Sequence, residues 1–236
     1  WIVVDALTTR ESSAAAMAFA RQHMGDKPVT ALVFSHSHID HFGGALGVLT
    51  PQEVSDRKVP VIAPTGFMEE ATSENVMVGT AMGRRSIYQF GRDLERSAKG
   101  NVDTGLGKNV VYGTFGILPP TQLITKPTEE LTLDGVHFVF HNVPGAEAPA
   151  ELTFFIPEKK AYGGAENLAQ TMHNLLPVRG AKVRDALRWS EYMDQALEQT
   201  AGTEVYFGQH NWPIWGNAHI QDFIKAHRDV YKYTHD

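Results

Sequence analysis

The chain has 236 residues, 21 Lys plus Arg against 27 Asp plus Glu, a net charge of −6 and no cysteine. That length buries one sizeable core and suits a single α/β domain. The acidic balance argues against a nucleic-acid partner, the missing cysteines exclude disulfides and thiolate metal sites, and no apolar run approaches the roughly 20 residues of a membrane span.

In chain order, Trp1 to Asp5 reads as a buried strand ending in an acid. The sequence opens with that strand already under way, so the chain reads as a fragment of a longer protein. Asp5 is either a turn aspartate or the acceptor for the outer N–H of a metal-bound histidine, since such imidazoles are usually oriented this way. Thr8 and Thr9 can cap an Ala-rich helix over residues 11–24, and Gly25-Asp26-Lys27-Pro28 ends it. The β-branched run Val29 to Phe34 reads as a buried strand. It leads into Ser35-His36-Ser37-His38-Ile39-Asp40-His41-Phe42-Gly43-Gly44, read as a polar loop and a glycine-opened helix. Three of the chain's 11 histidines fall here within six residues. His36 and His38, two apart, point the same way on an extended backbone. Asp40 and His41 follow where the chain turns and face a second point. Imidazole with carboxylate suits zinc and its neighbours. Residues 59–63 form a further strand, and the strand–helix alternation indicates an α/β layered domain.

From Thr65 the pattern changes. Residues 67–96 read as helical. Residues 101–116 are glycine-rich, and a loop this long is expected to be a lid or binding loop, or to be disordered. Gly105-Leu106-Gly107-Lys108 within it lacks the spacing of a phosphate-binding loop. Arg84, Arg85, Lys108 and Tyr112 are candidates to meet an anion there, with surface roles as the plainer alternative. Strands are expected over 121–125, 130–133 and 136–143, the last two joined at Asp134-Gly135. Glu147 sits in a Pro/Gly-bounded loop that can aim a carboxylate rigidly. Residues 152–156 and 161–164 read as a hairpin, with Glu166 at the next strand mouth. Helices are expected over 168–176, carrying His173 and Asn174, and over 183–199. Between them Arg179-Gly180-Ala181-Lys182-Val183-Arg184-Asp185 is the densest positive cluster. A strand over 204–207 leads to His210, and a helix over 217–230 closes the chain.

His36-Ser37-His38-Ile39-Asp40-His41, followed by Gly43-Gly44 after a strand, resembles the metallo-β-lactamase superfamily signature. The common hydrolases of that superfamily complete the site with further histidine and a bridging aspartate. Here Glu147 and Glu166 stand instead, a pattern similar to the alkylsulfatase branch. So are Ala165-Glu166-Asn167, His173-Asn174-Leu175, Arg179-Gly180-Ala181 with Arg184-Asp185, and the run Tyr231 to Asp236. The resemblance covers nearly the whole chain.

It implies an αββα sandwich with two Zn2+ ions. His36, His38 and Glu147 would hold one ion, Asp40, His41 and His210 the other, with Glu166 bridging them beside a water or hydroxide. The three carboxylates supply −3 against +4 from the ions, leaving a net +1 for a hydroxide or an anionic ester. The implied reaction is hydrolysis of an alkyl sulfate to alcohol and inorganic sulfate. Arg179 would grip the sulfate, because a guanidinium fork matches a multi-oxygen anion. Arg184, Asn174 and Tyr112 are weaker candidates for that role, and His173 and Tyr112 are candidates for proton donor to the leaving alkoxide. Met77, Val78, Phe115 and Phe207 are candidates for an apolar groove holding the alkyl chain, with core packing as the plainer alternative. Members of the branch are longer, with extra N-terminal strands, a helical dimerisation domain and a sterol-carrier-like domain. Residues 1–236 are therefore expected to be most of the catalytic domain, from a homodimeric, periplasmic or secreted protein. The alternatives are another dizinc hydrolase of the superfamily (phosphodiesterase, lactonase or β-lactamase) or a non-catalytic metal-binding relative.

Overall fold

Alternation along one short strand, Ala31–Val33, decides the layering. Ala31 and Val33 join a core cluster with Ile62, Phe138, Phe140 and Phe154, whereas Leu32 and Phe34 join another with Met17, Leu49 and Phe67. Successive strand side chains point to opposite faces, so this strand is buried on both, as its continuous apolar sequence requires. The structure is a computed structural model describing residues 1–105 and 107–236; Leu106 of the glycine-rich run lies outside the described residues.

The strands are β1 (Ile2–Val4), β2 (Ala31–Val33), β3 (Val61–Pro64), β4 (Gln122–Ile124), β5 (Thr128–Leu133), β6 (Val136–Asn142), β7 (Leu152–Ile156), β8 (Ala161–Gly163), β9 (Val205–Phe207) and β10 (Ile214–Trp215). The α-helices are α1 (Arg10–Met24), α2 (Ile39–Phe42), α3 (Pro51–Arg57), α4 (Phe67–Thr72), α5 (Gly79–Phe90), α6 (Ala186–Gln199) and α7 (Asn217–His235). β1 to β4 form a parallel sheet in sequence order; the second sheet runs β10-β9-β8-β7-β6-β5. Their inner faces meet through Val33, Ile62, Phe140, Leu152 and Phe154. α1 and α3 flank the first sheet, and α6 and α7 cover the second through Trp189, Met193, Ile220, Ile224 and Tyr231. The architecture is the αββα sandwich. No described helix is long and apolar enough to cross a membrane.

Local chemistry explains most boundaries. Thr9 accepts the Ser12 N–H at 3.2 Å, and Thr9 N–H returns to Ser12 Oγ, so α1 opens on a capping box. Asp134 and Gly135 both adopt left-handed φ, 48° and 78°, as a tight primed turn between β5 and β6 demands. Asp185 caps α6 by accepting from Arg188 N–H at 3.1 Å, which starts that helix three residues after the expected 183.

Several expectations need correction. The helix expected over 67–96 is α4, a π-helical turn over Ser73–Met77, then α5, which stops at a left-handed Gly91. Residues 168–176 are not helical. Their polar groups are claimed from outside: Gln170 N–H donates to Asn211 Oδ1, His173 N–H to the Tyr231 hydroxyl, and Arg184 to the Asn174 carbonyl. Tertiary partners override helix propensity there. β10 was not foreseen, and α7 continues to His235.

Gly44 does open a short 3₁₀ turn over Ala45–Gly47, but α2 begins earlier, at Ile39, and both glycines also serve close approach. A Cβ on Gly43 would lie 2.2 Å from the Thr8 carbonyl oxygen, and one on Gly44 2.1 Å from that of Ala6. Ala6 N–H donates to the His41 carbonyl at 2.7 Å and Gly44 N–H to that of Leu7 at 2.8 Å. The histidine loop is thus clamped onto the β1–α1 connection. Two glycine-to-alanine substitutions should have opposite effects in urea unfolding. Gly44→Ala should destabilise by about 1–3 kcal/mol through overpacking against backbone. Gly83→Ala, inside α5 with nothing within 4 Å of the new methyl, should stabilise by about 0.5–1 kcal/mol.

Candidate metal centre

Four segments deliver polar side chains to one end of the sandwich. The loop after β2 and the short α2 carry His36, His38, Asp40 and His41. The β6–β7 loop carries Glu147, the turn after β8 carries Glu166, and the segment after β9 carries His210. All but Asp40 and His210 are buried, and those two are half-buried.

The donor atoms fall into two groups. His36 Nε2 lies 3.4 Å from Glu147 Oε2 and 3.6 Å from Glu166 Oε2, while His38 Nδ1 lies 2.7 Å from Glu147 Oε2. Opposite, Asp40 Oδ2 lies 3.4 Å from both His41 Nε2 and His210 Nε2. Glu166 Oε1 is 3.8 Å from His41 Nε2 and contacts His210 Nε2. Within each group the donors lie within 4.8 Å of one another, and Glu166 belongs to both.

The residues fit a metal. Among the described residues His36 Nε2 is buried with no hydrogen-bond partner, and His41 Nε2 faces His210 Nε2 at 3.3 Å. Buried polar atoms are normally satisfied, and a cation among these donors would satisfy them. An N/O donor set suits zinc and its neighbours.

The second layer fixes the imidazoles. Asp5 Oδ2 lies 2.8 Å from His41 Nδ1, accepts the Ser35 hydroxyl at 2.6 Å, and contacts the Gln209 amide. Asp5 Oδ1 accepts the Ser35 N–H at 2.7 Å, and Ser35 Oγ lies 2.9 Å from His36 Nδ1. One aspartate therefore turns Nε2 of both His36 and His41 inward. Arg184, buried, donates to the Glu147 carbonyl at 2.5 Å and grips Glu147 Oε1. It belongs to the scaffold of Glu147 and does not line the cavity, so it is not an anion grip.

Glu151 is a residue that sequence reasoning did not single out. It is fully buried at the start of β7. Oε2 accepts the N–H groups of Glu147 at 2.9 Å and Ala148 at 3.1 Å; Oε1 accepts that of Glu166 at 3.1 Å. Burial, then the nearby Glu147 carboxylate, pushes its pKa up to about 8 against those N–H groups. Its signal was faint: an acid directly before the apolar run Leu152 to Ile156.

The cluster opens into a cavity of about 1000 Å³. Arg179 and His173 line it, with apolar walls from Leu7, Ile39, Met82, Val110 and Phe115. His173 Nε2 lies 3.3 Å from Glu147 Oε1 and 3.9 Å from Glu166 Oε2. Arg179 Nη2 lies 3.6 Å from Glu74 Oε2, and Asn174 also borders the space. Tyr112 does not: it is 67% exposed, with the Arg92 guanidinium 4.6 Å from its ring centroid. Lys108 pairs with Asp103 at 3.5 Å. Of the expected groove residues only Phe115 lines the cavity. Met77 and Val78 face solvent, and Phe207 packs on Phe154 between the sheets.

The histidines share charge with the acids. Burial disfavours protonating His38, but Glu147 outweighs it and raises His38 to about 9. Burial likewise opposes protonation of His210, and Asp40 with Glu166 lifts it to about 10. His36 is held well below its usual range by burial and by His41. Raised values mean that His38 and His210 carry protons at pH 7 in the metal-free protein, and a metal must displace them. Zinc binding should therefore release protons at pH 7 and tighten as pH rises toward 9. Calorimetric titration in buffers of different ionisation enthalpy reads both effects. Glu151→Ala orphans three buried N–H groups at about 1 kcal/mol or more each. It should lower unfolding free energy by about 3 kcal/mol in urea and weaken zinc retention in equilibrium dialysis.

A model of the metallo-beta-lactamase superfamily matches residues 1–210. The chain is 44% identical over 237 residues to an (R)-specific secondary-alkylsulfatase of Pseudomonas sp, covering 100% of this chain and 36% of that protein. It is 42% identical over 236 residues to an alkyl/aryl-sulfatase of Saccharomyces cerevisiae, with the same coverage. The chain thus spans little more than a third of the length of these relatives. The solved structure of a stereoselective inverting sec-alkylsulfatase from Pseudomonas sp. superposes with a TM-score of 0.94 at 44% identity, covering 98% of this chain and 37% of that one. A metallo-β-lactamase of Pseudomonas aeruginosa in a mono-zinc form shares the fold alone, with a TM-score of 0.63 at 11% identity over 99% of this chain and 79% of that one. From the histidine motif through the two sheets to these matches, the chain belongs to the metallo-β-lactamase superfamily.

Proposed function

We propose that this chain hydrolyses alkyl sulfate esters to alcohol and inorganic sulfate at a binuclear zinc site. One observation carries the reading. Two donor groups, His36/His38/Glu147 and Asp40/His41/His210, share Glu166 at the floor of an apolar-walled cavity that also holds an arginine. Similarity to proteins named alkylsulfatases supports it.

His36, His38 and Glu147 would hold one ion, and Asp40, His41 and His210 the other, with Glu166 between them. Bound there, the two ions would supply an acidified water and a clamp for developing negative charge. The remaining work falls to side chains. Arg179 offers a forked pair of N–H donors from the cavity wall, matched to the oxygens of a sulfate group. The apolar wall accepts the alkyl chain and displaces water from it. His173 Nε2, 3.3 Å from Glu147 Oε1, borders the cavity, where it can donate a proton to the leaving group whichever ester bond breaks. Asp5 and Glu151 keep the ligands aimed.

The test is sulfate release from dodecyl sulfate by the zinc-loaded protein, beside a phosphodiester and a chelator-treated sample. Metal analysis should find two zinc ions per chain. Sulfate release should stop on chelation and fall at least about 100-fold in Glu166→Gln, on the scale of losing a principal electrostatic group. Arg179→Ala should raise KM about tenfold or more, the worth of about one charged hydrogen bond. Preferential turnover of the phosphodiester, or full activity in Glu166→Gln, would overturn the reading.

A further inference from the structure

The π-helical turn Ser73–Met77 inverts the usual burial rule. Val76 is 72% exposed and Met77 78% exposed, whereas the acid between the same helices, Glu74, is 7% exposed. A surface helix ordinarily turns its apolar residues inward. A π-turn inserts a residue and rotates the helix face, and such turns concentrate at functional sites. Here the wide turn is closed by Val78 N–H on the Ser73 carbonyl at 3.2 Å. The side chain it presents inward is a carboxylate.

That carboxylate stands between two groups already described. Glu74 Oε2 lies 3.6 Å from His38 Nε2 and 3.6 Å from Arg179 Nη2. His38 faces the donor cluster with its other nitrogen, Nδ1. Glu74 Oε1 is buried and has no hydrogen-bond partner among the described residues. Leaving a buried carboxylate oxygen unsatisfied costs free energy, so apolar packing does not account for an acid here. Its neighbours do. The outer nitrogen of a metal-facing imidazole is usually held by a carboxylate or carbonyl, which sets the tautomer and the ring plane. A guanidinium beside the same carboxylate loses rotamer freedom before any anion arrives.

We propose that Glu74 is a positioning residue that ties the outer nitrogen of His38 to the guanidinium of Arg179, so that metal ligand and anion grip are set by one side chain. The Arg179 half rests on the reading of Arg179 as the sulfate grip; the His38 half does not.

The test uses the cobalt(II)-loaded protein, its visible absorption band, and its affinity for inorganic sulfate. Glu74→Asp keeps the charge but withdraws it by one methylene. Glu74→Gln keeps the shape and removes the charge, and guards against a fold defect in the shorter variant. Positioning predicts a shifted cobalt band in both variants. It also predicts about tenfold weaker sulfate binding in Glu74→Asp, an effect that vanishes when Arg179→Ala is already present. A role through charge alone predicts wild-type sulfate affinity in Glu74→Asp and tighter binding in Glu74→Gln, and that pattern overturns the Arg179 half. An unmoved cobalt band in both folded variants overturns the His38 half. If Arg179→Ala by itself leaves sulfate affinity unchanged, the sulfate-grip reading falls, and with it the Arg179 half, while the cobalt band still decides the link to His38.

Discussion

One buried carboxylate sets the geometry of the whole cluster. Glu151 accepts N–H groups from the Glu147 loop and from Glu166, segments that reach the site from different strands. Its backbone pairs with His36 in an isolated antiparallel bridge, and the next residue, Leu152, donates its N–H to the Ser35 carbonyl. The histidine loop, the first glutamate and the second glutamate are therefore indexed to one residue at the start of β7. A carboxylate in this position would be costly if bare. Three N–H donors offset part of that cost, while burial and the Glu147 carboxylate still push its pKa up to about 8. Since buried partners of this kind have a single favourable arrangement, the site inherits their rigidity.

Asp5 does the same work on the other side. It lies at the end of β1 in a left-handed conformation, φ 60°, and its two oxygens serve Ser35, His41 and Gln209. The left-handed region is strained for most side chains, and aspartate is one of the few that tolerate it. The strain is held by the glycine contacts behind it, where Gly43 and Gly44 let the histidine loop lie against the β1–α1 connection. The motif glycines and the motif histidines thus answer one requirement: bringing ring nitrogens to fixed points demands that the backbone behind them pack with no side chain in between.

Sequence legibility follows the range of the interactions. The histidine motif was readable because its donors are close together, and β2 because burial on both faces writes an uninterrupted apolar run at residues 31–34. The grouping of Glu147, Glu166 and His210 with that motif came from family resemblance, since each lies alone at a strand end. What failed was decided by distant partners. Residues 168–176 have helical composition, but Tyr231, Asn211 and Arg184 capture their polar groups. Tyr112 sits in a glycine-rich loop that suggested a binding role, yet its ring lies by Arg92, away from the cavity. Met77 and Val78 read as groove residues because an alkyl chain needs apolar walls; both are exposed instead, and the π-turn presents Glu74 inward. No local pattern announces a π-turn, so no reading of the helix as a regular one finds Glu74.

The division of labour between floor and walls bears on how this fold changes substrate. The floor is built from strand ends and buried hydrogen bonds, and any displacement there disturbs several partners at once. The walls come mostly from the glycine-rich loop, from α5 and from the irregular stretch holding Met172, Arg179 and Leu176, with Leu7 and Ile39 added from beside the histidine loop. Substitutions of exposed side chains in these segments cost little stability and alter what the cavity admits. A fold that fixes its metal-facing donors through Asp5 and Glu151 can vary its walls without retuning the floor, which is how one scaffold carries different substrates. Arg179 and Glu74 lie on the seam between the two. They extend order from the floor into the wall, and the contact between Glu74 and His38 is where a change in the substrate-facing surface would be felt by the donors themselves.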